Sequence, residues 1–72
     1  MQRWTKSQDP ITFIGRKVRA TKTIHQSPTS SDPNVPRGAV GWIEDYVDDL
    51  FWVDFDGKYG VVASDWDEIT LV

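Results

Sequence analysis

Cysteine is absent from the 72 residues of the chain. Its absence excludes disulfide bonds, a thiol nucleophile and a thiolate metal site, and it fits a reducing compartment such as the cytoplasm. A chain of this length forms one domain, which buries a modest fraction of its surface and is therefore marginally stable. We expect one small domain that is stabilised by packing and backbone hydrogen bonds.

Histidine and long apolar runs are nearly as scarce. His25 is the one histidine, and no spacing in the serine-rich segment that follows sets out a nucleophile, a base and a third group. No apolar run approaches the roughly 18 residues of a membrane span, and the polar N-terminus does not resemble a signal peptide. We therefore expect a cytoplasmic protein that is not an enzyme and does not act at a membrane.

Acidic residues gather at the turns without forming a metal-binding motif. The segment DFDG at 54–57 fails the EF-hand pattern, because Trp52 stands where a preceding aspartate is needed. The carboxylates at 48–49 or at 65–68 could hold a divalent cation weakly, but aspartate also favours tight turns and helix starts. Turn chemistry explains these positions better, so we expect no metal and no cofactor.

Charge is distributed unevenly along the chain, whose net charge is −3. Residues 1–37 hold seven Lys and Arg against two Asp, whereas residues 38–72 hold one Lys against nine Asp and Glu. Once folded, such a chain can present a basic face and an acidic face. The simpler interpretation is that the two halves pair in one barrel and partly offset each other.

Short runs of alternating apolar and polar residues predict five β-strands, at 15–24, 39–47, 50–55, 58–64 and 69–72. A proline- and serine-rich loop at 25–38 separates the first two, and its length is typical of functional or mobile segments. Tight turns are predicted at 47–50 and at Asp56-Gly57, and one 3₁₀ turn before the last strand. This spacing favours an all-β sandwich or barrel.

Details of the second and fourth strands follow from the same pattern. Val40 and Ile43 both look directed to the core, which predicts a β-bulge at Gly41 and an outward Trp42. The strand at 58–64 is predicted to be short and central. Residues 1–12, polar around Trp4, are predicted to form an N-terminal arm, and residues 13–72 the folded domain.

Three stretches carry a resemblance to a known fold. IGRKVRATKTI has a Gly-x-x-Val-Arg opening, VPRGAVGWIEDY a Pro-x-Gly-x-x-Gly pattern, and LFWVDFDGKYGVVASDWDEITLV a Val-x-Phe-Asp-Gly hairpin with a final strand. Together they cover about residues 13–72 and resemble the SH3-like small barrel, including the KOW-type barrels of bacteria. The resemblance implies an all-β, five-stranded SH3-like barrel with a long first loop and a short 3₁₀ turn before the last strand.

Such barrels bind peptides, methylated lysine or nucleic acids, or serve as accessory subunits of enzymes, so function must be argued from the site. The resemblance departs from the eukaryotic peptide-binding branch in two respects. Ala20 and Thr21 stand where that branch has a paired-tyrosine motif, and Asp32 is the one acidic residue of the loop 25–37. Binding of proline-rich ligands in that mode is therefore not expected.

Tryptophan and carboxylate residues of the second half predict a binding surface. If Trp42 and Trp52 both face outward on adjacent strands, they can form a cross-strand pair bordered by carboxylates. Exposed aromatics bordered by charge are typical of a protein contact, and the rings could hold a cationic side chain of the partner. The residues predicted for this surface are Trp42, Glu44, Asp45, Tyr46, Trp52, Asp54 and Trp66.

Two other interpretations stay open. The tryptophans could merely cover the ends of the barrel and pack on Trp4. The cations of the first strand could instead line a phosphate track beside an outward aromatic, although the sequence pI of 4.8 argues against this. The residues of that alternative nucleic-acid site are Arg16, Lys17, Arg19, Lys22 and Arg37.

The sequence thus predicts a non-catalytic module that binds another, basic protein through an acidic surface bearing tryptophans. Small acidic single-domain proteins of this kind also serve phages and mobile elements as inhibitors, which occupy basic grooves of nucleic-acid-handling proteins in place of phosphates. An inhibitor or an accessory subunit of such a partner is the more specific hypothesis, and it rests on charge rather than on a motif.

Overall fold

The computed structural model describes residues 8–26, 33–56 and 59–72 of the chain. Within them, the fold is mostly β, with five antiparallel strands, one segment of 3₁₀ helix and no α-helix. In chain order, the elements are the 3₁₀ helix Pro10–Phe13 and the strands β1 Lys17–Ala20, β2 Val40–Val47, β3 Leu50–Asp54, β4 Val61–Ser64 and β5 Ile69–Leu71.

Alternation of side chains across the strands builds the core. In β1 the apolar Val18 and Ala20 are buried while their neighbours are exposed, and in β3 Phe51 and Val53 are buried on the same side. This is the period of a strand with one buried face, and it confirms the inward faces predicted for these two strands. The buried core comprises Phe13, Val18, Ala20, Ile24, Val35, Ile43, Phe51, Val53, Phe55, Val62 and Ile69.

The strands lie in the order β4-β3-β2-β1-β5. A small antiparallel sheet of five strands is compatible with the SH3-like fold, but the sheet is not closed, so the predicted barrel is not confirmed. The prediction that β4 is central is wrong, because β4 and β5 form the two edges. The isolated bridge between Ile24 and Val35 ties the ends of the first loop together and buries both side chains.

A β-bulge interrupts the pairing of β2 with β3, but not where it was predicted. Ile43 is opposite Val53 and Asp45 is opposite Trp52, so Glu44 is the extra residue. No bulge is needed at Gly41, because Gly41 rather than Val40 shares the buried face with Ile43. Trp42 then faces outward, as predicted, and its side chain is 47% exposed.

The turn between β2 and β3 is tight, and both of its central residues are aspartates with positive φ. Asp48 and Asp49 join β2 to β3 and have φ values of 56° and 63°. Positive φ at both central residues is the geometry of a type I′ hairpin turn, in which Asn-Gly is preferred. β3 and β4 also form a hairpin, since Asp54 pairs with Val61, but the tight turn predicted at Asp56-Gly57 lies partly outside the described residues and stays a prediction.

The segment before β5 forms a single turn, closed by the Glu68 N–H donating to the Asp65 carbonyl oxygen at 3.0 Å. This i to i+3 hydrogen bond is that of a 3₁₀ turn, whereas the segment of 3₁₀ helix itself lies before β1. That helix begins after Asp9, whose side chain accepts a hydrogen bond from the Ile11 N–H. It spans the boundary predicted between the N-terminal arm and the domain, and its Phe13 belongs to the core.

Candidate functional site

The seven residues predicted for the acidic, tryptophan-bearing surface fall in two places. Trp42, Asp45, Trp52 and Asp54 alternate with buried residues of β2 and β3 and therefore lie on the outer face of the sheet, and Glu44 is exposed at the bulge. Tyr46 and Trp66 instead pack against the core. The predicted single surface thus corresponds to an outer face and, separately, to an aromatic cluster at the edge of the core.

On the outer face, each tryptophan is opposite a carboxylate. Trp42 pairs with Asp54, and Asp45 pairs with Trp52. Trp52 is half-buried, and its indole N–H donates to the Val47 carbonyl oxygen at 3.3 Å, which gives the ring a structural role. Trp42 is the more exposed of the two rings and is the outer-face aromatic better placed for a contact.

Asp45 also has a local role at the bulge. The Asp45 side chain accepts a hydrogen bond of 2.8 Å from the Tyr46 N–H. Because a bulge disrupts the ladder of backbone hydrogen bonds locally, this contact supplies an acceptor to a backbone donor beside the disruption. The carboxylate therefore stabilises the strand, whether or not it contacts a partner.

The cations predicted for a nucleic-acid site lie next to this face rather than opposite it. Lys17 pairs with Trp42 across β1 and β2, and its Nζ lies 5.7 Å from the centre of the Trp42 ring, within the range of a cation–π contact. Arg19 is the other exposed cation of β1. The two halves of the chain also meet in an exposed ion pair, in which Lys22 Nζ lies 3.2 Å from the Asp67 carboxylate.

The remaining two cations of this set, Arg16 and Arg37, are exposed residues outside the strands. Arg16 immediately precedes β1, and its backbone carbonyl accepts a hydrogen bond from the Ile43 N–H. Arg37 belongs to the turn that leads into β2. Of the five cations, Lys17 is thus the one shown to border Trp42 on its β1 side, while Asp54 of β3 lies opposite Trp42 on the other side.

The aromatic cluster at the edge of the core opens into a pocket of about 370 Å³, lined by Pro10, Tyr46, Asp49, Asp65 and Trp66. Among the described residues of the lining, two are aromatic, two are carboxylates and none is cationic. The pocket is open to solvent rather than enclosed, and polar and apolar groups share its lining. We call it the Tyr46–Trp66 pocket.

Core aromatics hold both ring walls. The Trp66 ring meets Phe51 at 4.9 Å and Phe13 at 6.1 Å between centroids, in edge contacts with interplanar angles of 80° and 88°. The Tyr46 ring lies 4.8 Å from the same Phe51 ring at an angle of 57°. Such edge and tilted contacts are the favoured geometries of aromatic pairs, so the two walls are fixed by the core beneath them.

The two carboxylates come from different turns. Asp49 is the second residue of the turn between β2 and β3, and Asp65 opens the turn before β5. One Asp65 oxygen, Oδ1, accepts from the Trp66 N–H at 2.7 Å, and the Asp65 N–H donates to Glu68 Oε1 at 2.8 Å. These bonds fix the backbone that presents both Asp65 and Trp66 to the pocket.

Sequence reasoning placed Tyr46 and Trp66 in the binding surface but missed Pro10, Asp49 and Asp65. Two signals were available. Asp48-Asp49 occupies a two-residue turn where Asn-Gly would fit better, and Asp65 is followed directly by tryptophan. Trp4, which was weighed as a packing partner for the tryptophans, lies outside the described residues.

Among the described residues, no three His, Asp or Glu side chains are grouped so that they could hold a metal ion. The same part of the chain contains no helix that is both long enough and apolar enough to cross a membrane. Comparison with known proteins found no match to a family model, to a curated protein or to a solved structure. Function must therefore be argued from the two sites themselves.

Proposed function

We propose that the protein is a non-catalytic module that binds a basic segment of another protein, with the Tyr46–Trp66 pocket as the site that receives a cationic side chain. The observation that carries the proposal is the composition of the pocket. Among the described residues, two aromatic rings and two carboxylates line one opening to which none of them contributes a cation. A cation from a partner would meet both kinds of group that attract it.

The physical argument has a short-range part and a long-range part. At short range, aromatic faces attract cations, and carboxylates add charge-assisted hydrogen bonds. At long range, the net charge of −3 and the nine acidic residues after position 37 favour the approach of a basic partner. A role as inhibitor or accessory subunit of a nucleic-acid-handling protein would use the same charge.

The test is binding of a labelled lysine- and arginine-rich peptide, measured by fluorescence anisotropy at low and moderate salt. Replacing Asp49 by Asn removes a pocket charge while keeping a side chain that tolerates positive φ, and we expect about tenfold weaker binding from the loss of one charged hydrogen bond. The matched control is Asp48→Asn, which makes the same change in the same turn outside the pocket lining.

Equal losses in the two variants would show a general effect of charge and would contradict a site at the pocket. Wild-type affinity in Asp49→Asn would also contradict a site at the pocket. Absence of binding by the wild-type protein at low salt would overturn the proposed function as a whole.

A second candidate is binding of single-stranded nucleic acid on the outer face, and one observation favours it. Trp42 is exposed on β2, directly beside β1, and the Nζ of Lys17 on β1 lies 5.7 Å from the centre of the Trp42 ring. A base could stack on the ring while Lys17 and Arg19 contact phosphates. A labelled oligonucleotide that binds the wild type and Asp49→Asn equally, but not Trp42→Ala, would support this candidate.

A further inference from the structure

We infer that the Tyr46–Trp66 pocket is selective for an arginine side chain over lysine. The inference rests on the proposed function, because it names the group that the pocket would receive. Two features support the selectivity, namely the aromatic walls and the hydrogen-bonding capacity of the two carboxylates.

The walls favour a flat cation. Trp66 and Tyr46 each pack on Phe51, and these contacts fix both rings before any ligand arrives. A guanidinium group is planar, weakly hydrated and stacks on aromatic faces, whereas an ammonium group is compact and strongly hydrated. A guanidinium could stack on rings that the core already holds in place, which lowers the ordering cost of binding.

The carboxylates favour a ligand with several donors. Asp65 Oδ1 is engaged by the Trp66 N–H, while Oδ2 makes no hydrogen bond within the described residues. Within the same part of the chain, neither carboxylate oxygen of Asp49 accepts a hydrogen bond. The ion pair between Lys22 and Asp67 does not involve the described residues that line the pocket. A guanidinium carries five N–H donors in a fixed fork and can serve both turns at once.

The backbone of Asp49 makes the role of its carboxylate testable. Its φ of 63° is a conformation that side-chain-bearing residues disfavour and that glycine adopts freely at this position of a type I′ turn. The chain instead retains a carboxylate there, and that carboxylate lines the pocket. Asp48 has the same left-handed conformation outside the described lining of the pocket, so the two positions form a matched pair for testing the carboxylate.

The first experiment compares three capped pentapeptides that differ only in a central arginine, lysine or citrulline. Citrulline has the shape of arginine without its charge. Binding is followed by titration of the Trp66 indole N–H signal in NMR spectra, assigned with Trp66→Phe. We expect the arginine peptide to bind at least about tenfold more tightly than the lysine peptide, a difference of about 1.4 kcal/mol in binding free energy. The citrulline peptide should not bind.

Equal or tighter binding of the lysine peptide would overturn the selectivity while leaving the proposed function intact. If the Trp66 signal moves with none of the three peptides, the pocket takes neither cation and the inference fails. In that case the anisotropy measurement with the longer basic peptide decides separately whether the proposed function also fails.

The second experiment uses Asp49→Gly, a variant that should not be lost to misfolding. We expect it to unfold at a higher temperature than the wild type, because glycine relieves the left-handed backbone, and to lose arginine binding at least tenfold. The matched variant Asp48→Gly relieves the same strain at φ 56° and should keep arginine binding. Wild-type affinity in Asp49→Gly would refute a role of this carboxylate in the pocket.

Discussion

Gly41 is a residue at which β2 lies close to the backbone of β3. A Cβ placed on Gly41 would lie 2.5 Å from the Asp54 carbonyl oxygen and 2.9 Å from Val53 Cγ1. Its backbone has no positive φ, so glycine is needed there for space rather than for conformational freedom. The same close approach brings Trp42 and Asp54 to opposite positions on the outer face.

We predict that Gly41→Ala lowers the free energy of unfolding by about 1–3 kcal/mol, because the added methyl group meets backbone that cannot move aside easily. Chemical denaturation followed by tryptophan fluorescence measures the change. Gly15→Ala is the control for conformational strain alone, since its φ is 88° and nothing lies within 4 Å of a Cβ there. A smaller loss in Gly41→Ala than in Gly15→Ala would contradict the steric argument.

At the scale of the element, the bulge in β2 decides which side chains share a face. With Glu44 as the extra residue, Ile43 and Tyr46 both face the core although they are three positions apart. Without it, strict alternation would place one of them outside. The bulge therefore brings Tyr46 to the pocket and leaves Asp45 on the outer face.

Deletion of Glu44 should for this reason be tolerated. Every remaining residue of β2 keeps its present face, and we expect the free energy of unfolding to change by about 1 kcal/mol or less. Deletion of Trp42 is the matched comparison, because it turns either Ile43 outward or Glu44 inward and should cost about 2 kcal/mol or more. Thermal unfolding of the two deletion variants measures the difference, and equal losses would show that the bulge does not set the faces.

The position of the bulge also shows where sequence reasoning succeeded and where it failed. The inward faces of β1 and β3 followed from plain alternation, and the outward Trp42 was predicted correctly. The bulge was assigned to Gly41 because the apolar Val40 was expected to face the core with Ile43, whereas Gly41, which has no side chain, is the buried residue. The pocket was missed because Pro10 lies in the 3₁₀ helix and Asp49 and Asp65 lie in two separate turns, and no local pattern connects these three segments.

At the scale of the whole molecule, β1 is paired on one side with β2 and on the other with β5, the last strand. The Thr21 N–H donates to the Glu68 carbonyl oxygen, and the Val72 N–H donates to that of Lys17. This arrangement mixes the basic and acidic halves of the chain within one sheet. It also makes the fold depend on contacts between residues far apart in sequence.

We predict that truncation after Glu68 abolishes cooperative unfolding. The truncation removes the buried Ile69 and the partner strand of β1, a loss comparable to the roughly 4–10 kcal/mol that stabilises a domain of this size. Val72→Ala, at a side chain that is 59% exposed, is the control and should unfold like the wild type. Circular dichroism during heating makes the comparison, and a sharp transition in the truncated chain would contradict the prediction.

The order of the sheet also affects how the protein behaves at high concentration. Strand β4, Val61–Ser64, lies at an edge, and within the described part of the chain no strand pairs with its outer side. Its sequence, VVAS, contains none of the charges or prolines with which edges usually resist pairing, and Val61 is 47% exposed. Edge-to-edge association is then opposed by the repulsion between negatively charged molecules. Because added salt screens this repulsion and crowding brings molecules together, we expect both to favour self-assembly through β4.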